Sequence, residues 1–67
     1  MKSIAEVEQL RQDSSILSDS WCYWYGYGLG MEGGVLNLDR LRRLRKPDIV
    51  QMGFEDAKGD LDAYKGN

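Results

Sequence analysis

Few side chains in this sequence could carry out covalent chemistry. Cys22 is the single cysteine, and the chain has no histidine that could serve as its base. The same absence, together with the lack of a second thiol, removes the usual ligands of a zinc site. Asp60 and Asp62 lie near Gly59 but do not match the ligand spacing of a calcium loop. We therefore expect Cys22 to be a small buried apolar residue, and we predict no enzymatic activity, no metal and no cofactor.

A cluster of aromatic residues is the first candidate binding feature. It comprises Trp21, Tyr23, Trp24, Tyr25 and Tyr27. Trp and Tyr are frequent anchors of protein interfaces, and their rings also stack on nucleic-acid bases. The alternative is that these rings form the core, because a small domain needs large side chains to bury. A chain this short can hardly cover all of them, so we expect at least one of Trp21, Trp24 and Tyr25 to be available to a partner.

A basic segment is the second candidate. Its cations are Arg40, Arg42, Arg43, Arg45 and Lys46, and they lie beside leucines. Arginine pairs well with phosphates and carboxylates, so this segment could bind RNA, DNA or an acidic protein surface. The alternative is a solvated helix face whose arginines pair with acids of the same chain. Those acids are Asp48, Glu55, Asp56, Asp60 and Asp62.

Charge is unevenly distributed along the chain. The formal net charge is −2, with −3 over residues 1–38, +4 over residues 39–46 and −3 over residues 47–67. Affinity for nucleic acid depends largely on neutralising phosphates, so the acidic balance argues against a general nucleic-acid binder. Because of the basic segment, nucleic acid remains an alternative partner.

Helical patterns begin and end the sequence. Ser3 and Glu6 have the spacing of a capping box, and we predict a first helix over residues 4–12 with an apolar stripe of Ile4, Val7 and Leu10. Pro47 suits the first turn of a helix over residues 48–65. The apolar stripe of that helix is Val50, Phe54, Ala57, Leu61 and Tyr64. Leucines at every third position predict a further short helix from about residue 38 to residue 45.

Residues 19–38 fit two structures. Trp21, Tyr23, Tyr25, Tyr27 and Leu29 alternate with smaller residues, which is typical of a strand, and Gly33-Gly34 would then form a hairpin turn within residues 21–38. The other structure is a helix over residues 19–32 capped by Asp19 or Ser20.

Two matching patterns of small residues favour the helix. Gly26-Tyr27-x-x-Gly30 and Gly53-Phe54-x-x-Ala57 each place small residues four positions apart. On a helix this spacing makes a shallow groove into which a neighbouring helix or a large aromatic ring can pack closely. The fold class we predict is all-α, a bundle of three to four short helices in one domain over residues 1–67. The alternative is an α+β fold with the hairpin packed on helices.

The same small-residue order resembles the ribosome modulation factor family. Gly26-Tyr27-x-x-Gly30-x-x-Gly33, a basic segment and Gly53-Phe54-x-x-Ala57 carry the resemblance, which covers about half of the chain. That family consists of short two-helix proteins that bind ribosomal RNA, so the resemblance implies a ribosome-associated role. The sequence departs from the family in its acidic charge, since the family is strongly basic, and we assign the chain to no family.

The length of the chain limits its stability. A domain of 67 residues buries only ~60% of the surface that its unfolded chain exposes, and neither a disulfide nor a metal is available to compensate. Binding to a larger partner or to a second copy remains as a source of stability, so a homodimer is one hypothesis. We expect a cytoplasmic protein, since a lone thiol suits a reducing compartment and residues 1–20 have no apolar core of a secretory signal.

These observations support one main hypothesis for function. We expect a small, non-enzymatic protein-interaction module that acts stoichiometrically as a regulator or inhibitor of a larger protein or ribonucleoprotein. The first alternative is an RNA- or DNA-binding module that uses residues 40–46 with stacking by Trp21 or Trp24. The second alternative is a structural homodimer. No membrane partner is expected.

Overall fold

The computed structural model describes residues 2–34, 36, 43 and 46–65. These residues form three helices, α1 (Ile4–Asp13), α2 (Asp19–Met31) and α3 (Pro47–Lys65), and contain no strand. The predicted all-α bundle is therefore confirmed, with three helices in the described residues. The further helix predicted over residues 38–45 lies outside the described residues except for Arg43.

Helix α1 begins at a serine cap, as the spacing of Ser3 and Glu6 predicts. The Ser3 Oγ atom accepts a hydrogen bond from the backbone N–H of Glu6 at 3.2 Å, and the Ser3 hydroxyl donates to Glu6 Oε1 at 3.3 Å. This satisfies one of the backbone donors that a helix start leaves without a partner. Of the predicted apolar stripe, only Val7 is buried, and Ile4 is 43% exposed. The stripe is only partly covered because α1 packs against a single neighbouring helix.

The N-cap of helix α2 lies one residue before the first of the two predicted caps. Ser18 is the N-cap, and its Oγ atom accepts the backbone N–H of Trp21 at 3.2 Å. Asp19, one of the two predicted caps, instead lies in the first turn, where its carboxylate interacts favourably with the positive end of the helix dipole. The predicted cap was therefore wrong, whereas the predicted helix is confirmed.

The two glycines that suggested a hairpin turn end this helix instead. Gly33 has φ +73°, and its N–H donates to the carbonyl of Gly30 at 3.3 Å. The N–H of Gly34 donates to the carbonyl of Leu29 at 2.9 Å. This pair of bonds is a Schellman motif, in which glycine takes the left-handed position that other residues avoid. The alternative hairpin is overturned, because residues 21–31 are helical and a helix terminus explains Gly33-Gly34.

Helices α2 and α3 pack with their backbones in contact at the small residues that the sequence singled out. A Cβ atom built on Gly26 would lie 1.9 Å from the carbonyl oxygen of Val50, and one on Gly53 would lie 2.0 Å from the carbonyl oxygen of Tyr23. A Cβ on Gly30 would lie 2.7 Å from the Cβ of Ala57. Only glycine fits at Gly26 and Gly53, so each predicted groove is occupied by the backbone of the other helix.

The three helices form one layer with α2 in the middle. The contacts advance in the same direction along both helices, from Gly26 against Val50 to Gly30 against Ala57. The two helices therefore run parallel. Helix α1 packs on the other side of α2, and in the described part of the chain its backbone does not approach α3. The molecule measures 36 × 25 × 14 Å, so it is flattened along one axis.

The buried core is small because a single layer encloses little volume. Its buried apolar residues fall into two clusters, one of Val7, Tyr27 and Ala57 and one of Cys22 and Val50. Domains are usually built from at least two packed layers, so this layer leaves large apolar side chains half-buried on its broad faces.

The glycine contacts give a matched pair of substitutions in α3. Gly53→Ala should destabilise the fold by about 2 kcal/mol or more, since its methyl group would collide with the α2 backbone. Gly59→Ala should stabilise it by up to about 1 kcal/mol, because a Cβ there meets nothing within 4 Å and alanine favours helix. Urea unfolding monitored by tryptophan fluorescence measures both. Equal effects of the two substitutions would contradict the observed packing.

Candidate functional site

A groove between α1 and α2 brings together several half-buried apolar residues. Its apolar lining comes from Ile4 and Val7 on α1 and from Trp24, Tyr25, Gly28 and Leu29 on α2. Charged residues Glu8, Arg11 and Glu32 also line it. We call this concavity the α1–α2 groove. The groove is open at Gly28 because glycine has no side chain. A Cβ atom there would contact Val7 Cγ1 at 3.6 Å, and a larger side chain would fill the space.

An aromatic stack continues the α2 wall of this groove. The rings of Trp21 and Tyr25, one helical turn apart, are stacked with centroids 5.2 Å apart and planes inclined by 8°. The Arg11 guanidinium lies 5.9 Å from the centre of the Trp21 ring, within the range of a cation–π contact. Both rings also pack against the Cys22 and Val50 cluster. This double contact fixes their orientation while leaving each ring partly exposed.

The opposite edge of α2 carries a different aromatic arrangement. The Tyr23 hydroxyl donates a hydrogen bond to Asp56 Oδ2 at 2.6 Å, and the Tyr27 hydroxyl donates to Asp60 Oδ2. The Trp24 ring meets the rings of Tyr23 and Tyr27 edge-on, at centroid distances of 4.9 Å and 5.5 Å. Two tyrosine–aspartate bonds in register therefore join α2 to α3 beside their backbone contact.

These hydrogen bonds stabilise the neutral form of both phenols. The bond to Asp56 raises the pKa of Tyr23 to about 12, with burial and the negative charge of Asp56 acting in the same direction. The bond to Asp60, followed by burial and the charge of that carboxylate, raises the pKa of Tyr27 to about 12. Both side chains therefore act as hydrogen-bond donors that join the helices across the whole physiological pH range.

The sequence-predicted binding residues have different positions. Trp24 and Tyr25 line the α1–α2 groove, and Trp21 stacks on Tyr25 at its wall. Arg43 is exposed, and Lys46 forms an ion pair with Asp19 in the first turn of α2. Arg40, Arg42 and Arg45 lie outside the described residues. Their predicted partner-binding role remains a prediction.

Sequence reasoning missed both the α1 side of the groove and the tyrosine–aspartate pairs. Ile4 belongs to the predicted apolar stripe of α1, but the pattern does not show that α1 runs antiparallel to α2, with Arg11 near Trp21 and Val7 near Gly28. Asp56 and Asp60 were considered as partners of the basic segment, yet they accept hydrogen bonds from tyrosines. The only available signal was the shared spacing of four between Tyr23 and Tyr27 and between Asp56 and Asp60, which matters only if the helices are parallel.

Cys22 is fully buried, as the sequence predicts. Its exposed fraction is 0%, and its thiol donates to the carbonyl of Leu17 at 3.8 Å. Burial raises the pKa of the Cys22 thiol, as does the charge of Asp19, while Lys46 acts in the opposite direction. A buried protonated thiol is a poor nucleophile, so its role in the described structure is packing against Val50.

Two structural features are absent from the described residues. No group of three or more histidine, cysteine or carboxylate side chains there could hold a metal ion. None of the helices described combines the length and apolar character needed to cross a membrane.

Comparison of the chain with protein-family models, with curated proteins and with solved structures finds no match in any of the three.

The raised tyrosine pKa values predict a loss of stability at alkaline pH. Because the folded-state pKa of about 12 exceeds the ordinary value of 10.0, the tyrosine bonds contribute fully below pH 10 and are lost as pH rises through 12. The free energy of unfolding of Tyr23→Phe/Tyr27→Phe, measured by urea titration, should therefore decrease less between these two pH values than that of the wild type. Tyr25→Phe, which removes a hydroxyl with no bond to another described residue, should keep the wild-type dependence. Parallel profiles for all three proteins would refute the assignment.

Burial of Cys22 predicts slow thiol chemistry in the folded protein. A thiol-specific reagent should modify Cys22 only as fast as the fold opens, so the rate should increase with urea concentration. Ile16→Cys/Cys22→Ala places a thiol at a site that is 81% exposed in the wild type and should react at once. Rapid modification of wild-type Cys22 without urea would show an accessible thiol and contradict its packing role.

Proposed function

We propose that this chain is a small, non-enzymatic protein-interaction module that binds a larger protein stoichiometrically, as a regulator or inhibitor. The observation that supports the proposal is the α1–α2 groove, an apolar concavity with Trp24 and Tyr25 in its lining. Half-buried aromatic residues held rigidly by their neighbours are typical anchors of protein interfaces.

The one-layer architecture supports a helix of the partner as the occupant of this groove. The groove runs along two antiparallel helices, and a third helix laid over them would supply the second layer that the domain lacks. Apolar residues on one face of that helix would meet Ile4, Tyr25 and Leu29. Glu8, Arg11 and Glu32 offer both signs of charge at the sides, where they would select polar residues flanking the apolar stripe.

The magnitudes favour a partner that extends beyond the groove. Covering one large apolar side chain contributes about 1.5 to 3 kcal/mol, whereas a micromolar complex needs about 8 kcal/mol after the costs of association are met. Covering a few side chains in the groove would therefore give only a marginal binding free energy. The neighbouring Trp21 and Tyr25 stack is the nearest further aromatic surface, and a tight complex would use it as well.

Two observations favour a protein partner over a substrate or cofactor as the occupant of this groove. The groove has a volume of about 170 Å³, which is below the ~300 to 1,000 Å³ typical of small-molecule sites. The only thiol is buried, and the sequence contains no histidine. We propose a cytoplasmic setting, because one unpaired thiol suits a reducing compartment.

The test is affinity capture of a partner with matched groove and control variants. Ile4→Glu puts a carboxylate in the groove at the first turn of α1, where the helix dipole tolerates it. Met52→Glu makes the same change at a 54% exposed methionine on α3, outside the groove lining. Wild type and Met52→Glu should retain one protein in fixed ratio with and without nuclease, and Ile4→Glu should retain at least tenfold less. Circular dichroism should show equal helicity in all three.

Three outcomes would contradict the proposal. Equal retention by Ile4→Glu and Met52→Glu would exclude the groove as the binding surface. Recovery that disappears after nuclease treatment would favour nucleic acid as the partner and direct attention to residues 40–46. A protein that elutes as two copies and captures nothing would favour the structural homodimer.

A further inference from the structure

The face opposite the α1–α2 groove contains a second concavity. It is an open cleft of about 430 Å³ lined by Lys2, Glu6, Tyr23, Trp24, Tyr27 and Asp60. We call it the tyrosine cleft. By the helical repeat, Tyr23 and Tyr27 lie almost opposite Tyr25 and Leu29 on α2, and Trp24 contributes to both concavities. The tyrosine cleft therefore differs from the groove in its position and in its chemistry.

An ammonium group of the chain already lies over an aromatic ring in this cleft. Lys2 Nζ is 5.9 Å from the centre of the Trp24 ring, at the outer limit of a cation–π contact. In the described part of the chain the one ion pair joins Lys46 to Asp19, so Lys2 is not paired with Glu6 or Asp60. The cleft thus combines a ring that attracts a cation with two carboxylates that no described cation pairs with.

The carboxylates of the cleft retain capacity to accept hydrogen bonds. Asp60 uses Oδ2 for the Tyr27 hydroxyl, and Glu6 uses Oε1 for the Ser3 hydroxyl, so the second oxygen of each makes no further bond to a described residue. The tyrosine hydroxyls are fixed as donors to aspartates, which orients the rings. A basic side chain that enters the cleft would meet a prearranged set of rings and acceptors.

We propose that the tyrosine cleft binds a lysine or arginine side chain of the partner protein, with its cation over the Trp24 ring and within reach of Glu6 and Asp60. The inference rests on the proposed function, because the side chain belongs to a protein partner, but it concerns a separate surface. Charge complementarity supports it, since the cleft has two carboxylates and one cation of its own. Lys2 then competes with the incoming side chain for Trp24.

The test is a titration with blocked five-residue peptides of glycine and serine that contain one central lysine, arginine or glutamine. NMR of the two tryptophan indole N–H groups reports the site directly. The lysine and arginine peptides should shift the Trp24 signal saturably, with Kd on the order of millimolar, and leave the Trp21 signal in place. The glutamine peptide should shift neither signal. Binding should weaken as salt is added, because it depends on exposed charges.

Matched variants separate the cleft from general electrostatics. Lys2→Gln removes the competing ammonium and should tighten peptide binding about threefold. Lys58→Gln removes the same charge from a cation over the Phe54 ring and should change the affinity much less. Asp60→Asn and Glu6→Gln keep a hydrogen-bond acceptor but remove the charge, and each should weaken binding about threefold.

Several results would overturn the inference. They are equal effects of Lys2→Gln and Lys58→Gln, unchanged affinity in both Asp60→Asn and Glu6→Gln, or equal shifts from the lysine and glutamine peptides. Ile4→Glu serves to distinguish the two proposals, because it removes an apolar contact of the groove and leaves the cleft intact. Peptide binding that survives in Ile4→Glu supports the cleft whether or not capture through the groove succeeds.

Discussion

The contact between the backbones of α2 and α3 determines most of the structure. Gly26 lies against the carbonyl of Val50 and Gly53 against the carbonyl of Tyr23, at distances that admit no Cβ atom. Each glycine costs about 1 kcal/mol of helix propensity relative to alanine, and the close approach offsets this through many additional van der Waals contacts. The same contact fixes the relative height of the parallel helices. That register brings Tyr23 to Asp56 and Tyr27 to Asp60.

Close packing by small residues also decides where the aromatic side chains lie. Since glycines occupy the side of α2 that faces α3, the large rings project toward α1 or onto the two broad faces of the layer. Tyr27 is 4% exposed and belongs to the core, while Trp21, Tyr23, Trp24 and Tyr25 are half-buried. On one face the tyrosine hydroxyls donate hydrogen bonds to carboxylates. On the other face the rings line the apolar α1–α2 groove. A sequence rich in tyrosine and tryptophan thus yields two surfaces of different chemistry.

Much of the fold could be predicted because its determinants are local. The matching small-residue patterns around Gly26 and Gly53 favoured a helix for α2 and predicted grooves for close packing, and the stripe of Val50 and Ala57 identified the buried side of α3. The alternation from Trp21 to Leu29 pointed to a strand, but its small positions include the glycines that pack against α3. Gly33-Gly34 suits both a hairpin turn and the end of a helix, and only the preceding hydrogen bonds distinguish the two.

The candidate site could be predicted only in part, because it depends on relations between helices. Trp24 and Tyr25 were selected by residue type, whereas the contribution of Ile4 follows from the antiparallel placement of α1. The tyrosine–aspartate pairs follow from the parallel orientation of α3, which no spacing within one helix encodes.

This geometry has a consequence for any partner of the layer. The groove and the tyrosine cleft lie on opposite faces, so one straight helix cannot occupy both, and a partner that uses both has to fold around the α1 edge. Each surface alone offers a few contacts, which would support only weak binding. Linked segments of one partner would make the second contact intramolecular, so that two weak sites act together with an affinity that neither provides alone. Trp24, which lines both concavities, is the residue through which the two sites would be physically connected.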